Sequence, residues 1–398
     1  MKKVSLILLT ICLFLASCQQ ENFGPLNTAD QGDEVSQEMA STIAANFNAT
    51  FAATTFKGES TNARLSSKEK TVKEVTPFRD EVGKPLYYII TYKEGGFVIV
   101  SAEKKTMPIL AFSETSNFPI GKELPEGVKE TMFSYKEGIK KIRARAATPD
   151  DRVVKEWRRL EDTEAVKALV QKARNKSAQP NNEPVDPPCQ DSQLYVTLST
   201  AAWGQGTSWN SQMPLENTFG CSGLPNGRAY TGCVATAMAI VMNFHDFPNT
   251  YNWNTMGANQ FETARLMRNA ANSVNMSYMC FGSGANGDAI VPGFVSSFGY
   301  SSLASYRSYN LTTITTEITT WGRPVILTGY RSGSGHAWVC DGFYEYYSCS
   351  GGTYAPMLYM NWGWDGSYNG FFSTSGFDPM GGSNYYTGLK MVTAIRRP

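Results

Sequence analysis

The sequence predicts an α+β protein in two parts, in which a small α+β domain precedes a domain with a central helix packed on an antiparallel sheet. Three observations predict this arrangement. Of 36 lysines and arginines only nine lie from residue 189 onward, whereas 26 of the 35 glycines lie there. An apolar helical stretch follows that change, over residues 229–245. Short β-prone runs separated by glycine-rich turns then occupy the chain beyond residue 324.

Length and composition divide the chain into four segments. A chain of 398 residues is long enough for two domains. The boundary between them contains four prolines and no apolar periodicity, which indicates an extended, exposed linker that a protease can cut. We therefore expect a leader over residues 1–18, a small domain over 19–176, a linker over 177–188 and a larger domain over 189–398.

The leader has the pattern of a bacterial export signal. Two lysines precede an apolar run over residues 4–16, which is shorter than the roughly 20 residues of a membrane-spanning helix. The tetrapeptide Leu15-Ala16-Ser17-Cys18 resembles a lipoprotein signal, in which the cysteine receives lipid and becomes the new N-terminus. We expect lipidation at Cys18 and no other membrane attachment. The alternative is an ordinary cleaved signal in which Cys18 is incidental.

The small domain is expected to combine helices with a hairpin. Residues 33–48 could form a helix, and the β-prone runs 87–92 and 97–101 flank a Glu-Gly-Gly turn. Further helices are predicted over 126–145 and over 150–174, where apolar residues recur with a period near 3.6. No residue of this domain has a pattern typical of catalysis.

One cysteine and one histidine of the larger domain form a candidate catalytic pair. A thiol attacks as the thiolate, and both a helix N-terminus and a nearby imidazolium lower its pKa. Cys233 lies near the start of the apolar helix, and the chain contains two histidines. His245 lies about 18 Å further along the same helix, at 1.5 Å per residue, and cannot reach the sulfur. His336 begins a predicted strand and remains as the candidate base.

Each member of this pair has a structural alternative. Cys233 could be a small buried residue of an alanine-rich helix, and His336 could be a packing histidine. Asp341 invites a triad with them, but five residues along a strand place it on the opposite face from His336 and about 16 Å away. We expect a turn or core role for Asp341.

The remaining composition excludes several classes of function. Apart from Cys12 and Cys18 there are six cysteines, none in a C-x-x-C pair, so a structural zinc site is not expected and the disulfide pairing stays open. The net charge is +1, and no basic stripe with aromatic residues follows the linker, so nucleic acid is not an expected partner. We expect no metal or organic cofactor.

Three segments of the larger domain resemble the streptopain family of bacterial cysteine peptidases, within the papain-like superfamily. The resemblance extends from about residue 201 to the C-terminus, and residues 87–101 with 109–113 are similar to the propeptide of that family. The segments are Trp203-Gly-Gln205-Gly, Thr231-Gly-Cys233-Val-Ala-Thr-Ala, and Gly335-His336-Ala-Trp-Val-Cys-Asp341-Gly followed by Asn361-Trp362-Gly-Trp364.

The resemblance implies a papain-like catalytic domain preceded by an inhibitory propeptide, and it assigns roles to individual residues. Cys233 is implied as the nucleophile and His336 as its base. Gln205 is implied as a donor to the oxyanion, unless it is an ordinary loop glutamine. In papain-like enzymes a third group orients the imidazole. The sequence does not decide which residue does so here, and Trp364 could instead be a core residue. The candidates are Asn361, Trp362 and Trp364.

The implied activity is that of a secreted cysteine endopeptidase made as a zymogen. It would hydrolyse proteins or peptides through a thioester acyl-enzyme after proteolytic removal of the propeptide, which acts as an intramolecular inhibitor. We expect a precursor anchored by lipid to a bacterial membrane, most simply the outer one, and a mature enzyme released outside the cell or into the periplasm. The alternatives are a papain-like amidase or acyl transferase, and a catalytically idle surface lipoprotein.

Overall fold

The structure is a computed structural model that describes most of the chain, and residues 34–398 form one compact unit within it. The N-terminal segment below means the described residues 34–176, and the C-terminal segment means those from 192 onward. Cys12, Cys18, Cys189, Cys349 and the predicted linker lie outside the described residues. The described ranges are 32–53, 70–145, 148–176, 192–331, 334–348, 352–353, 356–374 and 387–398.

The N-terminal segment contains four helices and four strands. The predicted hairpin is confirmed, because β2 and β3 pair antiparallel around the Glu-Gly-Gly turn. The predicted first helix is also present but is shifted toward the C-terminus. The elements are α1 (Gln37–Ala53), β1 (Val72–Arg79), β2 (Pro85–Tyr92), β3 (Phe97–Ser101), β4 (Ile109–Ser113), α2 (Glu126–Arg143), α3 (Asp151–Glu161) and α4 (Thr163–Lys176).

The single helix predicted over residues 150–174 is wrong, because two helices meet there at Asp162. This residue leaves the helical conformation, with φ −81° and ψ 84°. Its carboxylate accepts the backbone N–H of Ala165 at 2.9 Å, in the manner of an N-cap. Asp162 therefore ends α3 and caps α4, while the apolar periodicity continues across the break and conceals it in the sequence.

The C-terminal segment contains the predicted central helix and a set of antiparallel strands. The helix begins at Cys233, four residues later than predicted. The elements are β5 (Ser192–Thr197), α5 (Cys233–His245), α6 (Phe261–Ser273), β6 (Ser277–Met279), β7 (Gly282–Gly284), α7 (Ile290–Pro292), β8 (Ser305–Ser308), α8 (Leu311–Thr319), β9 (Val325–Arg331), β10 (Ser334–Ser348), β11 (Gly352–Thr353), β12 (Met357–Asn361), β13 (Gly370–Ser373) and β14 (Thr387–Thr393).

One antiparallel sheet passes through both segments. Its order is β1-β2-β3-β4-β13-β12-β10-β9-β14-β8, with β5 and β11 also paired to β10. The two segments join where β4 pairs with β13, in the register Phe112 to Phe371 and Ala111 to Phe372. The sequence did not predict this junction, because strands so distant along the chain carry no local pairing signal.

Strand β10 lies between the two principal helices. Its residues Ala337 and Val339 pack in a core with α5, whereas Trp338 and Cys340 pack in a second core with α2. This alternation follows from the twofold periodicity of a strand. Helix α5 of the C-terminal segment and helix α2 of the N-terminal segment therefore cover opposite faces of β10, the strand that carries His336. None of the described helices combines the length and the apolar character needed to cross a membrane.

Candidate active site

Cys233 is the first residue of α5, and a glycine fixes its position. Gly232 has φ +87°, and a Cβ there would lie 2.7 Å from the sulfur of Met276 and 3.0 Å from the carbonyl oxygen of Ser283. Only glycine fits this backbone conformation and this space. Cys233 is free and partly exposed as a residue, although its sulfur lies in buried surroundings, whereas Cys340, the other free cysteine of the described residues, is buried in the sheet.

The thiol of Cys233 is held in its neutral form in this structure. Burial of the site raises its pKa, and backbone N–H groups directed at the sulfur, including those of Ala337 and Val234, lower it by less. A helix N-terminus favours the thiolate, but it does not outweigh the burial here. The candidate nucleophile therefore lies at a helix N-terminus with its thiol protonated.

His336 is buried on β10, and its ring faces the N-terminal segment. Its ring is stacked with that of Trp338, with centroids 5.8 Å apart, and with that of Trp362 at 6.5 Å. The Nε2 atom lies 3.2 Å from the carbonyl oxygen of Trp362, which requires the proton on Nε2. Burial lowers the pKa of His336 to about 4, although the Trp362 carbonyl and the charge of Glu126 oppose that shift.

The thiol and the imidazole do not interact in this structure. No hydrogen bond joins them within the part of the chain that is described, and neither group shifts the pKa of the other. Ala337 directs its N–H at the Cys233 sulfur from the α5 side, whereas the adjacent ring of His336 packs against Gly127 and Trp338 on the α2 side. The two candidate residues are thus a neutral thiol and a neutral imidazole on opposite faces of one strand.

The first turn of α2 covers the imidazole. Gly127 is so close to it that a Cβ would lie 2.5 Å from the Trp362 ring and 2.7 Å from the Cδ2 atom of His336. Glu126 places a carboxylate near the same ring and forms an ion pair with Lys129 at 2.7 Å. Sequence reasoning missed this contact, and the only local signal was a glycine in the first turn of a predicted helix.

The side chain of Asn361 is fully engaged away from the imidazole. Its Nδ2 donates to the hydroxyl of Thr200 and to the carbonyl of Ala201, both at 3.0 Å. Its Oδ1 accepts from the N–H of Gly363 at 3.3 Å and from the side chain of Asn369 at 3.2 Å. An amide has two N–H donors and one carbonyl acceptor with two lone pairs, so none remains for His336.

The two candidate tryptophans lie in different environments. Trp362 is buried, donates its indole N–H to the carbonyl of Tyr368 at 3.0 Å, and presents its own carbonyl to His336. Trp364 is 38% exposed and makes no described contact with the imidazole. The structure thus brings His336 together with the backbone carbonyl of Trp362, and not with the side chain of Asn361.

Asp341 serves the core next to this site. Its carboxylate accepts the backbone N–H of Thr200 at 2.9 Å and the hydroxyl of Thr200 at 2.6 Å. Burial raises the pKa of Asp341 to about 6. Thr200 therefore links Asp341 to Asn361, and both side chains hold the loop that leads to Gln205.

Gln205 lies on a loop that is attached directly to the nucleophile segment. Its carbonyl accepts the N–H of Thr231 at 3.1 Å, two residues before Cys233. Asp365, which the sequence did not single out, supports the same loop. Its carboxylate accepts the indole N–H of Trp209 at 2.5 Å, and it occupies the space that a Cβ on Gly204 would fill. No cluster of three or more potential metal ligands occurs among the described residues.

A disulfide links the hairpin of β6 and β7 to the loop that precedes the candidate nucleophile. Cys221 and Cys280 close a span of 59 residues, with a Cα–Cα distance of 5.3 Å. The same hairpin approaches Cys233, because the Ser283 hydroxyl donates to the Tyr230 carbonyl at 2.8 Å. The disulfide therefore constrains one wall beside the candidate nucleophile.

We expect replacement of both Cys221 and Cys280 by Ser to lower the free energy of unfolding by about 4 kcal/mol, from the loop-closure entropy of the unfolded chain. Denaturant unfolding without reductant measures this difference. A thiol reductant should bring the wild-type chain to the level of the variant. Equal stability of the two chains without reductant would contradict the prediction.

We expect acidification to destabilise the packing around His336. The pKa of His336 is about 4 in the folded chain and about 6.5 in the unfolded chain. The contribution of the neutral imidazole to the free energy of unfolding is therefore complete above pH 6.5 and is lost as the pH falls toward 4. The full loss is about 3 kcal/mol. His336→Gln keeps an amide donor for the Trp362 carbonyl without titrating in this range.

Both chains carry Cys233→Ala to prevent processing. As the pH is lowered from 7 to 4, the free energy of unfolding of the chain with His336 should therefore fall toward that of the His336→Gln chain or below it. Asp341 and His245 titrate in both chains and cancel in the difference. A difference that does not vary with pH would contradict the assignment.

Comparison with known proteins matches two parts of the chain to two protein families. Residues 203–262 and 249–372 match the Peptidase C10 family, and residues 32–139 match the Spi protease inhibitor family. The chain is therefore a cysteine peptidase that carries an inhibitor-like propeptide domain. Its C-terminal segment matches the C10 family of peptidases over residues 203–372, and the predicted resemblance to the streptopain family is confirmed.

Individual relatives are distant but cover most of the chain. Streptopain of Streptococcus pyogenes is 23% identical over 363 residues, which are 78% of this chain and 80% of streptopain. The thiol protease/hemagglutinin PrtT of Porphyromonas gingivalis is 24% identical over 359 residues, also 78% of this chain, but the match spans only 37% of the length of PrtT.

The fold has a solved counterpart. A mutant fragment of prointerpain A from Prevotella intermedia superposes with a TM-score of 0.53 at 23% identity, over 82% of this chain and 100% of that fragment. The predicted fold class, a papain-like α+β domain preceded by a small α+β domain, is confirmed. The N-terminal segment accordingly contains the inhibitor-like propeptide domain, which the family match places over residues 32–139.

Proposed function

We propose that the chain is the precursor of a secreted cysteine endopeptidase in which Cys233 and His336 form the catalytic pair. The observation that carries the assignment is the position of the Cys233 thiol. It is the only partly exposed free cysteine of the described residues, it lies at a helix N-terminus, and the strand that carries His336 directs an N–H at its sulfur.

The propeptide keeps this pair apart. Removing it takes Gly127 away from the imidazole and admits water to the ring, which raises the pKa of His336 toward its usual value. The freed ring then turns from the α2 face toward Cys233, with its proton on Nε2 and with Nδ1 facing the thiol. Transfer of the thiol proton to Nδ1 then gives the thiolate and imidazolium pair that catalysis needs.

The reaction proceeds in two steps. The Cys233 thiolate attacks the scissile carbonyl, and the imidazolium of His336 gives its proton to the departing amine, which leaves a thioester on the sulfur. Water then attacks the thioester while His336 accepts a proton from it, and the product carboxylate leaves as the thiol reforms. Gln205 and the backbone N–H of Cys233 supply the oxyanion donors in both steps.

We expect Gln205→Ala to lower kcat by about 10²- to 10³-fold, the usual effect of removing one oxyanion donor. KM should change little, since the donor acts mainly in the transition state. Hydrolysis of a short fluorogenic peptide by the processed enzyme measures both constants. Asn361→Ala is the comparison, and we expect it to lower stability by breaking the contacts with Thr200 and Asn369. A variant of Gln205 with unchanged kcat would remove it from the mechanism.

The export and maturation steps complete the proposal. The sequence of residues 1–18 supports export and lipidation at Cys18, and the proline-rich segment 177–188 supports cleavage at the boundary of the propeptide. Because the lipid would be attached to the propeptide, the cut that activates the enzyme would also release it from the membrane.

Two measurements on the purified full-length chain test this function. N-terminal sequencing after incubation should show loss of the propeptide, and the processed chain should digest an unfolded protein such as reduced, carboxymethylated lactalbumin into many peptides. Processing followed by release of ammonia or acyl transfer, with the unfolded protein left intact, would indicate the amidase or transferase instead. Absence of both activities in the processed chain would indicate an idle binding protein.

A further inference from the structure

We propose that the mature enzyme binds an extended, aromatic-bearing segment of an unfolded protein substrate along β13, outside the catalytic cleft. This exosite rests on the proposed function, because β13 becomes accessible only when the propeptide leaves. It consists of the outer edge of β13 and an aromatic socket beside it. The socket is formed by four side chains of the C-terminal segment: Tyr195, Tyr344, Tyr359 and Phe371.

The edge of β13 is a site for strand addition. In the precursor β13 lies between β12 and β4, and its residues Phe371 and Phe372 pair with Phe112 and Ala111 of the propeptide. Departure of the propeptide leaves the outer N–H and carbonyl groups of β13 without that strand. An unpaired edge of this kind binds extended chains through main-chain hydrogen bonds.

The aromatic socket is a site for one aromatic side chain. In the precursor it holds Phe112, whose ring is stacked on Phe371 with centroids 5.0 Å apart and meets Tyr344 edge-on at 5.2 Å. Phe51 of α1 covers the same group, at 5.6 Å from both Tyr195 and Tyr344. Aromatic pairs in these geometries stabilise a complex beyond the effect of their buried area alone.

Gly370 adapts this edge to a closely bound backbone. A Cβ at Gly370 would lie 2.6 Å from the carbonyl oxygen of Phe112 and 3.1 Å from the Phe97 ring. Any larger residue would push the added strand away. The site therefore favours an extended main chain in close contact, with an aromatic side chain placed over Phe371.

The exosite is connected to the catalytic residues. The ring of Phe372 meets that of Trp362 edge-on with centroids 5.3 Å apart, and the carbonyl of Trp362 contacts His336. A long substrate held at β13 is therefore tethered near the cleft, which raises its effective concentration there. A short peptide cannot use this advantage, because it does not span both sites.

The kind of segment that binds the β13 edge in the mature enzyme is indicated by the segment that occupies this edge in the precursor. Strand β4 is an extended apolar segment, Ile-Leu-Ala-Phe-Ser, and an unfolded protein offers many segments of the same chemistry. A retained propeptide is incompatible with activity, since it would keep Gly127 against His336. A second folded copy would have only the four residues of β13 for strand pairing, a short edge for a stable dimer.

The test uses the processed form of the full-length chain, blocked at its nucleophile with an epoxide inhibitor of thiol proteases and purified from propeptide fragments. The probe is a fluorescein-labelled peptide with the sequence of residues 107–115. We expect saturable binding by fluorescence anisotropy. Carboxymethylated lactalbumin should displace the probe, and a tripeptide amide should not.

Peptide variants supply controls that do not depend on refolding the enzyme. Phe112→Ala in the probe should weaken binding at least about tenfold, equivalent to 1.4 kcal/mol. Met107→Ala, outside the paired residues, should change it by less than about twofold, an effect below 0.5 kcal/mol. Absence of saturable binding, or equal binding of the Phe112→Ala probe, would overturn the exosite. So would a processed enzyme whose edge is covered by retained propeptide or by a stable dimer.

The same sample separates this proposal from the proposed function. Mass spectrometry should find one epoxide adduct on Cys233. An adduct without probe binding refutes the exosite alone, whereas absence of the adduct refutes the catalytic assignment on which it rests.

Discussion

Cys233→Ala should abolish hydrolysis, lowering kcat/KM for a short fluorogenic peptide by at least about 10⁴-fold, because loss of a covalent nucleophile removes the whole acyl-enzyme route. It should also leave the precursor uncut when it is expressed alone. The fold should survive, since alanine keeps the Cβ of this partly exposed residue at the start of α5. Gel analysis of processing and peptide hydrolysis are the measurements.

Cys340→Ala is the matched control for this substitution. Cys340 is the other free thiol of the described residues, but it is buried in the sheet on the α2 face. Its replacement should reduce stability slightly and leave the processed enzyme active. If Cys340→Ala abolished hydrolysis while Cys233→Ala did not, the nucleophile would be misassigned.

Gly127→Leu should release the latency of the precursor. Even a Cβ at this position would lie 2.5 Å from the Trp362 ring, so the first turn of α2 cannot pack against the imidazole with a larger side chain. The disturbed contact shifts the equilibrium toward an open propeptide. A displacement worth about 3 kcal/mol raises the open fraction about 100-fold. We expect processing and epoxide labelling of the intact precursor to become faster by a factor of this order.

Glu123→Leu is the control for Gly127→Leu. Its side chain is 82% exposed and precedes α2 on the same segment, so it introduces the same leucine without contacting His336. This variant should process at the wild-type rate. If both variants remained latent, the contact of Gly127 with the imidazole would not be what restrains the enzyme.

The sequence was sufficient for the elements that have local signals. The hairpin of β2 and β3 has β-prone runs around a glycine turn, and α5 is apolar on all sides. The junction of β4 with β13 has no such signal, because pairing between residues so far apart is decided by which faces remain unburied after each part folds. At Asp162 the limit is local. A single capping carboxylate divides a predicted helix into α3 and α4, although the apolar periodicity continues across the break.

The candidate site could be predicted in its residues but not in its geometry. Elimination among two histidines selected His336, and the resemblance selected Cys233 and Gln205. No pattern in the sequence could show that the side chain of Asn361 makes all of its hydrogen bonds to Thr200, Ala201, Gly363 and Asn369. Every residue carries a backbone carbonyl, so the sequence cannot single out the carbonyl of Trp362 as the partner of His336.

The rate at which an epoxide inhibitor modifies Cys233, followed by mass spectrometry before and after processing, tests most directly that the propeptide holds a Cys233–His336 pair inactive. Both partners are neutral and apart in the precursor. We therefore predict that modification of the intact precursor is at least about 100-fold slower than that of the processed enzyme, since the thiolate is the reactive form. Equal rates in the two forms, or modification at another cysteine, would contradict the account.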